Sequence, residues 1–495
     1  MTDFDRWLRS LPGQRAAALA ARYARALEDS GLTVYRAAED RFVPIAPALS
    51  PEPIADGELA ELCADAELLL SATAKACRWT LGPAGRKVAE ILYAGLTPLE
   101  NACLIKDPER LFTVATARVD FFRGPDGVAR ALELNATIPA MQGYSDLVAH
   151  RWISEIAAER GLDAAPLVAR VGSNTADLLA SLVAHYRRAG GRARPPAIAI
   201  VSRRGDSQLG ELRHYERAFA AAGHRARHVW VDELGVDPDG VVTARGERFD
   251  LIYRHIFARR VEPASVMGRL LVDPGPNVIL NPVLSPLEVK GILGLLHEDK
   301  DAPFLPLTDD ERTAVARRVP WTRVLQRGAA VAPDGPVADL PAWVAANAPR
   351  VVVKRSWDYG GKGVFIGTDT EGDAARQRMA EIFPGCTGWS DFVARAADDP
   401  NVWVVQALVP PPAVRHLLVL GGAASWHDVF VDVNAYACLG VDARPRGGVC
   451  RASSSKIVNI AGGGGVAPLI QESVLSAIWP DGGPQGGPPS IKIPR

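Results

Sequence analysis

The stretch Arg118–Asn135, RVDFFRGPDGVARALELN, decides how this chain is read. From Phe112 to Phe122 the residues alternate with period two, as in a half-buried strand, so Arg118 and Asp120 point to one face. Val128–Asn135 predicts a second strand, on which Glu133 and Asn135 share a face. Between the two lies Pro125-Asp126-Gly127, a hairpin signal because Asp-Gly suits a two-residue type I′ turn. Such a turn at Asp126-Gly127 opposes residues whose numbers sum to 253, so Asp120 faces Glu133 and Arg118 faces Asn135.

Three oxygen-bearing side chains and a guanidinium are thereby gathered on one patch. Directly opposed carboxylates repel, and a cation between them removes that cost. Oxygen-only ligands favour Mg²⁺, which takes one or two carboxylates and leaves its other positions to water and phosphate. The candidate metal ligands are Asp120, Glu133 and Asn135, and Arg118 beside them is placed to hold a phosphoryl oxygen or a developing oxyanion. The competing reading is an edge hairpin whose polar residues face water; a longer turn would shift the register by two.

A second motif lies far along the chain. Arg350–Arg355, RVVVKR, predicts a buried strand with Lys354 opposite Val351 and Val353; it enters SWDYGGKGV and returns as VFIG. Strand, glycine loop and returning strand differ from the strand–loop–helix of a Walker P-loop. Gly360, Gly361 and Gly363 let backbone N–H groups approach phosphate oxygens, Lys362 can fold over them, and Lys354 supplies a positive charge beneath. Val402–Val409, an apolar strand carrying Gln406, runs into Pro410-Pro411-Pro412.

The pattern Arg-x-Asp, then Glu-x-Asn followed by Pro139, resembles the metal-binding hairpin of the ATP-grasp superfamily. With that hairpin early and the glycine loop late, the order is similar to the circularly permuted ATP-grasp group, which includes the synthetase domain of glutathionylspermidine synthase. The resemblance follows most of the chain in the order of its elements and is sharp at four short motifs. It implies an α/β (α+β) fold: an N-terminal helical region (1–110), the metal-binding half (111–190), a small pre-ATP-grasp parallel α/β unit (191–300), the nucleotide-binding half with its lid (301–479) and a flexible tail (480–495). It further implies ATP and Mg²⁺, phosphate contact from Lys290, a base-facing hinge at Val402–Val409 with Gln406 on the base or ribose, and a carboxylate and an amine as substrates. Where the family has an acidic ribose ligand this chain has Ala407. The activity implied is an ADP-forming carboxylate–amine ligase; a phosphotransferase using the same site and a non-catalytic nucleotide-binding protein are the alternatives.

Composition is ordinary for a globular protein. A chain of 495 residues, 48% hydrophobic and 23% charged, predicts several structural units. Fifty-six basic against 57 acidic residues give no reason to expect a nucleic-acid partner. No apolar run reaches the length of a membrane span and the N-terminus lacks a signal layout, so a cytoplasmic location is expected. Six dispersed cysteines, without a Cys-x-x-Cys pair, predict buried thiols.

Several segments keep two readings. The run Thr137–Asp146 lines an acceptor pocket or caps a following helix through Ser145. Lys290, on a helix begun at Ser285, meets phosphate or is a solvated helix charge. Arg254 faces the cleft or the surface, and Arg451 meets phosphate or packs locally.

Overall fold

The computed structural model describes residues 2–480 apart from Tyr359, Lys362, Gly422, Ala461 and Gly462. Of the expected tail, only Pro480 falls within the described residues.

The expected N-terminal helical region opens with two helices, Asp3–Ser10 and Gly13–Asp29, parted at Pro12, whose ring has no N–H to donate. The first 110 residues are also not purely helical. They include a hairpin of Thr33–Arg36 with Arg41–Pro44, and a strand, Glu52–Ile54, paired in parallel with Leu469–Gln471. The long helix Asp56–Leu81 follows.

The hairpin strands Val114–Arg123 and Ala129–Asn135 form one end of a six-stranded antiparallel sheet. Their inner neighbour is Ala423–Leu439, which pairs with Val114–Arg123, with Gly448–Ser453 and with Ala413–Leu420 along different parts of its length. The strands between 413 and 467, within the nucleotide-binding half expected over 301–479, thus belong to the hairpin's sheet. Alternation sorts the faces. Ala117, Val119 and Phe121, with Val431, Val433 and Ala435, pack against the Asp56–Leu81 helix, leaving Arg118, Asp120, Asp432 and Asn434 to the opposite face.

A second antiparallel sheet has the order Thr322–Val324, Trp403–Ala407, Val351–Arg355, Val364–Ile366. Val351, Val353, Phe365, Trp403 and Val405 form its core with Phe392 and Val344 from the helices Trp389–Asp398 and Leu340–Ala346. Lys354 and Gln406 lie on the other face, towards the first sheet.

Residues 198–280 hold four parallel strands in the order Val278–Leu280, Leu251–His255, Ile198–Ser202, Ala226–Trp230. Both faces are covered by apolar clusters, the reason AIAIVS is a continuous apolar run and not an alternating one. The expected strand HVWVDELGV divides: Ala226–Trp230 stays in this sheet, and Leu234–Val236 joins a separate antiparallel one. All six cysteines are buried and free. Among the described residues no helix is long and apolar enough to cross a membrane.

Asn281, fully buried, ties the parallel unit to the hairpin. Its Oδ1 accepts from the N–H of Ala115 (2.7 Å) and Thr116 (3.3 Å), and its Nδ2 donates to the carbonyls of Thr116 (2.7 Å) and Ala136 (2.5 Å). Arg254 is enclosed nearby, donating to the carbonyls of Asn281, Pro282 and Ile256; it faces neither the surface nor the cleft, and burial lowers it to about 10. Asn281→Ala strands several buried backbone groups and should cost about 3 kcal/mol, measured by urea denaturation; a loss below about 1 kcal/mol would mean that the hairpin does not depend on this tie.

Candidate active site

The predicted cross-strand pairs are present, though not by the predicted turn. Gly124 N–H donates to Val128 O (2.9 Å) around a three-residue tip, Pro125–Gly127, in which Gly127 has φ +77°. Next to the tip the opposed residues are Arg123 with Ala129, Phe122 with Arg130 and Phe121 with Ala131, numbers that sum to 252. Leu132 is then an extra residue, a β-bulge, and beyond it Asp120 faces Glu133 and Arg118 faces Asn135, back at 253. A one-residue slip would have turned Glu133 and Asn135 to the wrong face. Tip and bulge cancel.

Arg118 and Asp120 are both buried and form a bidentate pair: Nε to Oδ1 at 2.6 Å and Nη2 to Oδ2 at 3.1 Å. Arg118 Nη1 donates to the carbonyls of Pro139 (2.6 Å) and Ala140 (3.2 Å). From the neighbouring strands Arg451 reaches Asp120 Oδ2 at 2.8 Å and also binds Asp432, Nε to Oδ2 at 2.9 Å. Burial alone would raise the Asp120 carboxyl, but two guanidinium groups hold it below the usual aspartate range. Asp432 has one guanidinium only, so burial prevails and raises it. Arg451 is thus a site residue, and Asp432 is one that the reading of the sequence missed. Its signal was the alternation in HDVFVDVNAY, which puts Asp432 and Asn434 on one face.

Lys290 is buried, not solvated. The expected helix breaks around it into Ser285–Glu288 and Gly291–Asp299, and its Nζ donates to Asp358 O (2.6 Å) and stands 3.2 Å from Glu133 Oε2. Lys354 Nζ donates to Gln406 Oε1 (2.7 Å) and lies 3.4 Å from the carbonyl of Leu132, the bulged residue. Burial lowers Lys354 to about 8; Lys290 adds to the effect, and Glu133 and Asp120 oppose it. The amide of Gln406, expected to meet a base or ribose, is engaged within the protein: its Oε1 accepts from Lys354 and its Nε2 donates to Thr322 Oγ1 (3.1 Å).

Asp120, Glu133, Lys354, Gln406, Asp432 and Arg451 line one cavity of about 260 Å³ between the two sheets. Leu408–Pro411 closes one side of it, and Gly360 and Gly361 another. Both glycines have left-handed φ (+74° and +75°), and a Cβ on Gly361 would stand 2.5 Å from Ile457 Cγ2. Gly360 O accepts from Asn459 Nδ2 at 2.6 Å, joining the loop to the strand-end segment opposite. Gly363 packs against Asp358 and Arg355. Lys362 lies outside the described residues.

Asn135 carries a buried amide nitrogen with no partner among the described residues. No three His, Cys, Asp or Glu side chains gather as a metal site among those residues. An all-protein set for Mg²⁺ here therefore needs the Asn135 amide with the two opposed carboxylates, and these three do share a strand pair and a face. The three residue types offer oxygens of the kind a hard cation takes, with Asp120 already held by two guanidinium groups and Glu133 beside Lys290.

Ser145 does not cap the next helix, which begins at Gln142; its Oγ donates back to Gln142 O (2.9 Å).

No protein-family model and no curated protein matches the chain in sequence. Solved structures do match. A glutathione synthetase-like effector (GSS30) from Globodera pallida superposes with a TM-score of 0.56 at 11% identity, over 93% of this chain and 98% of that one. The likeness is one of fold: mixed α/β, of the ATP-grasp-like kind. A putative gamma-glutamylcysteine synthetase from Methylobacillus flagellatus KT gives 0.37 at 11% identity, over 75% and 84% of the two chains. D-alanyl-alanine synthetase A from Vibrio cholerae gives 0.26 at 11%, over 48% and 66%. Scores that low carry no weight for this fold.

In the fold Lys354 holds its proton only to about pH 8, whereas an exposed lysine holds it to about 10.5. Its burial therefore costs stability below pH 8, and the cost lifts as pH rises from about 8 towards 10.5. Wild type should gain in unfolding free energy relative to Lys354→Met between pH 7 and pH 10, read by paired denaturant titrations; a difference independent of pH would mean an ordinary lysine.

Proposed function

We propose that the protein is an ATP-dependent ligase that joins a carboxylate to an amine through an acyl phosphate, releasing ADP and phosphate, on a circularly permuted ATP-grasp fold. One observation carries the reading: Asp120, gripped by two arginines, and Lys354, stripped of water, line the same cavity from two different sheets. ATP would lie in that cavity, its base beside Leu408–Pro411 and its phosphates towards Lys354, Lys290 and the loop of Gly360 and Gly361. Asp120, Glu133 and Asn135 would hold Mg²⁺, which neutralises phosphate charge when bound.

The chemistry then asks the protein for position and charge. A carboxylate oxygen of the first substrate attacks the γ-phosphorus as the bond to ADP breaks. The amine nitrogen of the second attacks the acyl carbon, loses its proton, and phosphate leaves. Lys354 and Lys290 would bind the transferred phosphoryl group, and Arg118, behind Asp120 in the cavity wall, would offset the charge that gathers on the tetrahedral carbon's oxygen. Neither step needs a side-chain nucleophile, in keeping with a site whose charge is carried by lysines, arginines and carboxylates.

A screen of amino acids, small peptides and polyamines should find a pair for which Mg-dependent ADP release needs both a carboxylate and an amine; AMP as the product would rule out the acyl-phosphate route. Arg118→Met should lower kcat about 10²–10³-fold, ~3–4 kcal/mol, with little change in KM for ATP. Glu133→Ala should abolish ATP turnover with the fold intact by circular dichroism, and normal turnover would remove the metal assignment.

A further inference from the structure

Among the described residues only four non-glycine residues have positive φ, and two of these are adjacent: Ala140 (+29°) and Met141 (+81°). Left-handed backbone at residues with a Cβ persists only where the surroundings impose it. This corner has a use in the site, because the carbonyls of Pro139 and Ala140 receive Arg118 Nη1. Ala140 O also accepts from the Tyr436 hydroxyl at 3.1 Å.

The group that imposes the corner comes from elsewhere in the chain. Glu211, on the helix Leu209–Ala221 of the parallel unit, has no exposed surface. Its Oε2 accepts the Met141 N–H (3.0 Å), and its Oε1 accepts the Gly143 N–H (2.9 Å) and the Tyr215 hydroxyl (2.8 Å). Burial raises the carboxyl, and those donors oppose the rise. A carboxylate is a costly core filler; here two of its three donors are the backbone amides that flank Gln142.

We infer that Glu211 is a positioning residue for the reaction centre: it holds the left-handed Ala140–Met141 corner whose carbonyls aim the Arg118 guanidinium. This deepens the ligase reading and rests on the role given there to Arg118. It also gives the parallel unit a part in catalysis through a defined contact.

Glu211→Gln retains the shape but not the acceptors. With one oxygen left for Gly143 and Tyr215, the amide nitrogen falls against the Met141 N–H. The expected result is a kcat for ATP turnover lowered about tenfold or more, with KM for ATP within about twofold of wild type. Adding Ala140→Gly, which makes the left-handed corner free at the loss of one buried methyl, should recover a good part of that kcat. A merely structural glutamate would lower the folded fraction, and glycine at 140 would not repair it. Unchanged kcat in Glu211→Gln, or no recovery in the double variant, would overturn the inference.

Should Glu211→Gln fail to fold, Glu211→Asp carries the same test, since it retains the charge but reaches only one of the two amides. If wild type turns over no ATP with any substrate pair, the ligase reading fails by itself, and the corner is judged by amide exchange. Protection lost at Met141 and Gly143 in Glu211→Gln would sustain the positioning role; protection equal to wild type would overturn it.

Discussion

A carboxylate gripped from both sides by guanidinium ions sets the terms for the rest of this molecule. Removing Asp120, Arg118, Arg451 and Asp432 from water costs several kcal/mol per ion unless geometry repays it. Adjacent strands supply that geometry: Asn434 stands opposite Asp120 and Arg451 opposite Asp432, which brings two guanidinium groups and two carboxylates together on one face of the sheet. The arrangement neutralises itself and still leaves Glu133, Asn135 and Lys290 at its edge.

The same need explains the two-sheet build. Each sheet has an apolar face with helices on it, and each turns its charged face towards the other. A cavity walled by two such faces is low in dielectric without being apolar. That is why Lys354 loses its proton so early, and why phosphate there would meet strong fields with little reorganisation.

What the sequence disclosed follows the range of the interactions. The faces of the hairpin strands were legible because alternation is a local signal, whereas the right pairs arose only because the Leu132 bulge offset the longer tip; Lys354 was legible because Val351 and Val353 fixed the opposite face. Asp432 escaped notice because its strand joins Val114–Arg123 across some three hundred residues, a pairing that no local pattern announces. Gln406 and Arg254 show a different limit. Residue type shows what a side chain can bind, but neighbours decide what it does bind, and here Lys354, Thr322 and three backbone carbonyls had already claimed them. The Glu211 contact joins two units through main-chain amides, which carry no side-chain signature at all.

The bulge at Leu132 has one more consequence. Because the offset introduced at the hairpin tip is absorbed within a single residue, the pairs Asp120–Glu133 and Arg118–Asn135 hold their face although the ladder beside the tip is out of step with them. Tip and bulge are therefore bound to each other: shortening 125–127 by one residue with Leu132 still bulged would turn Glu133 and Asn135 to the other face, so the two can vary only together.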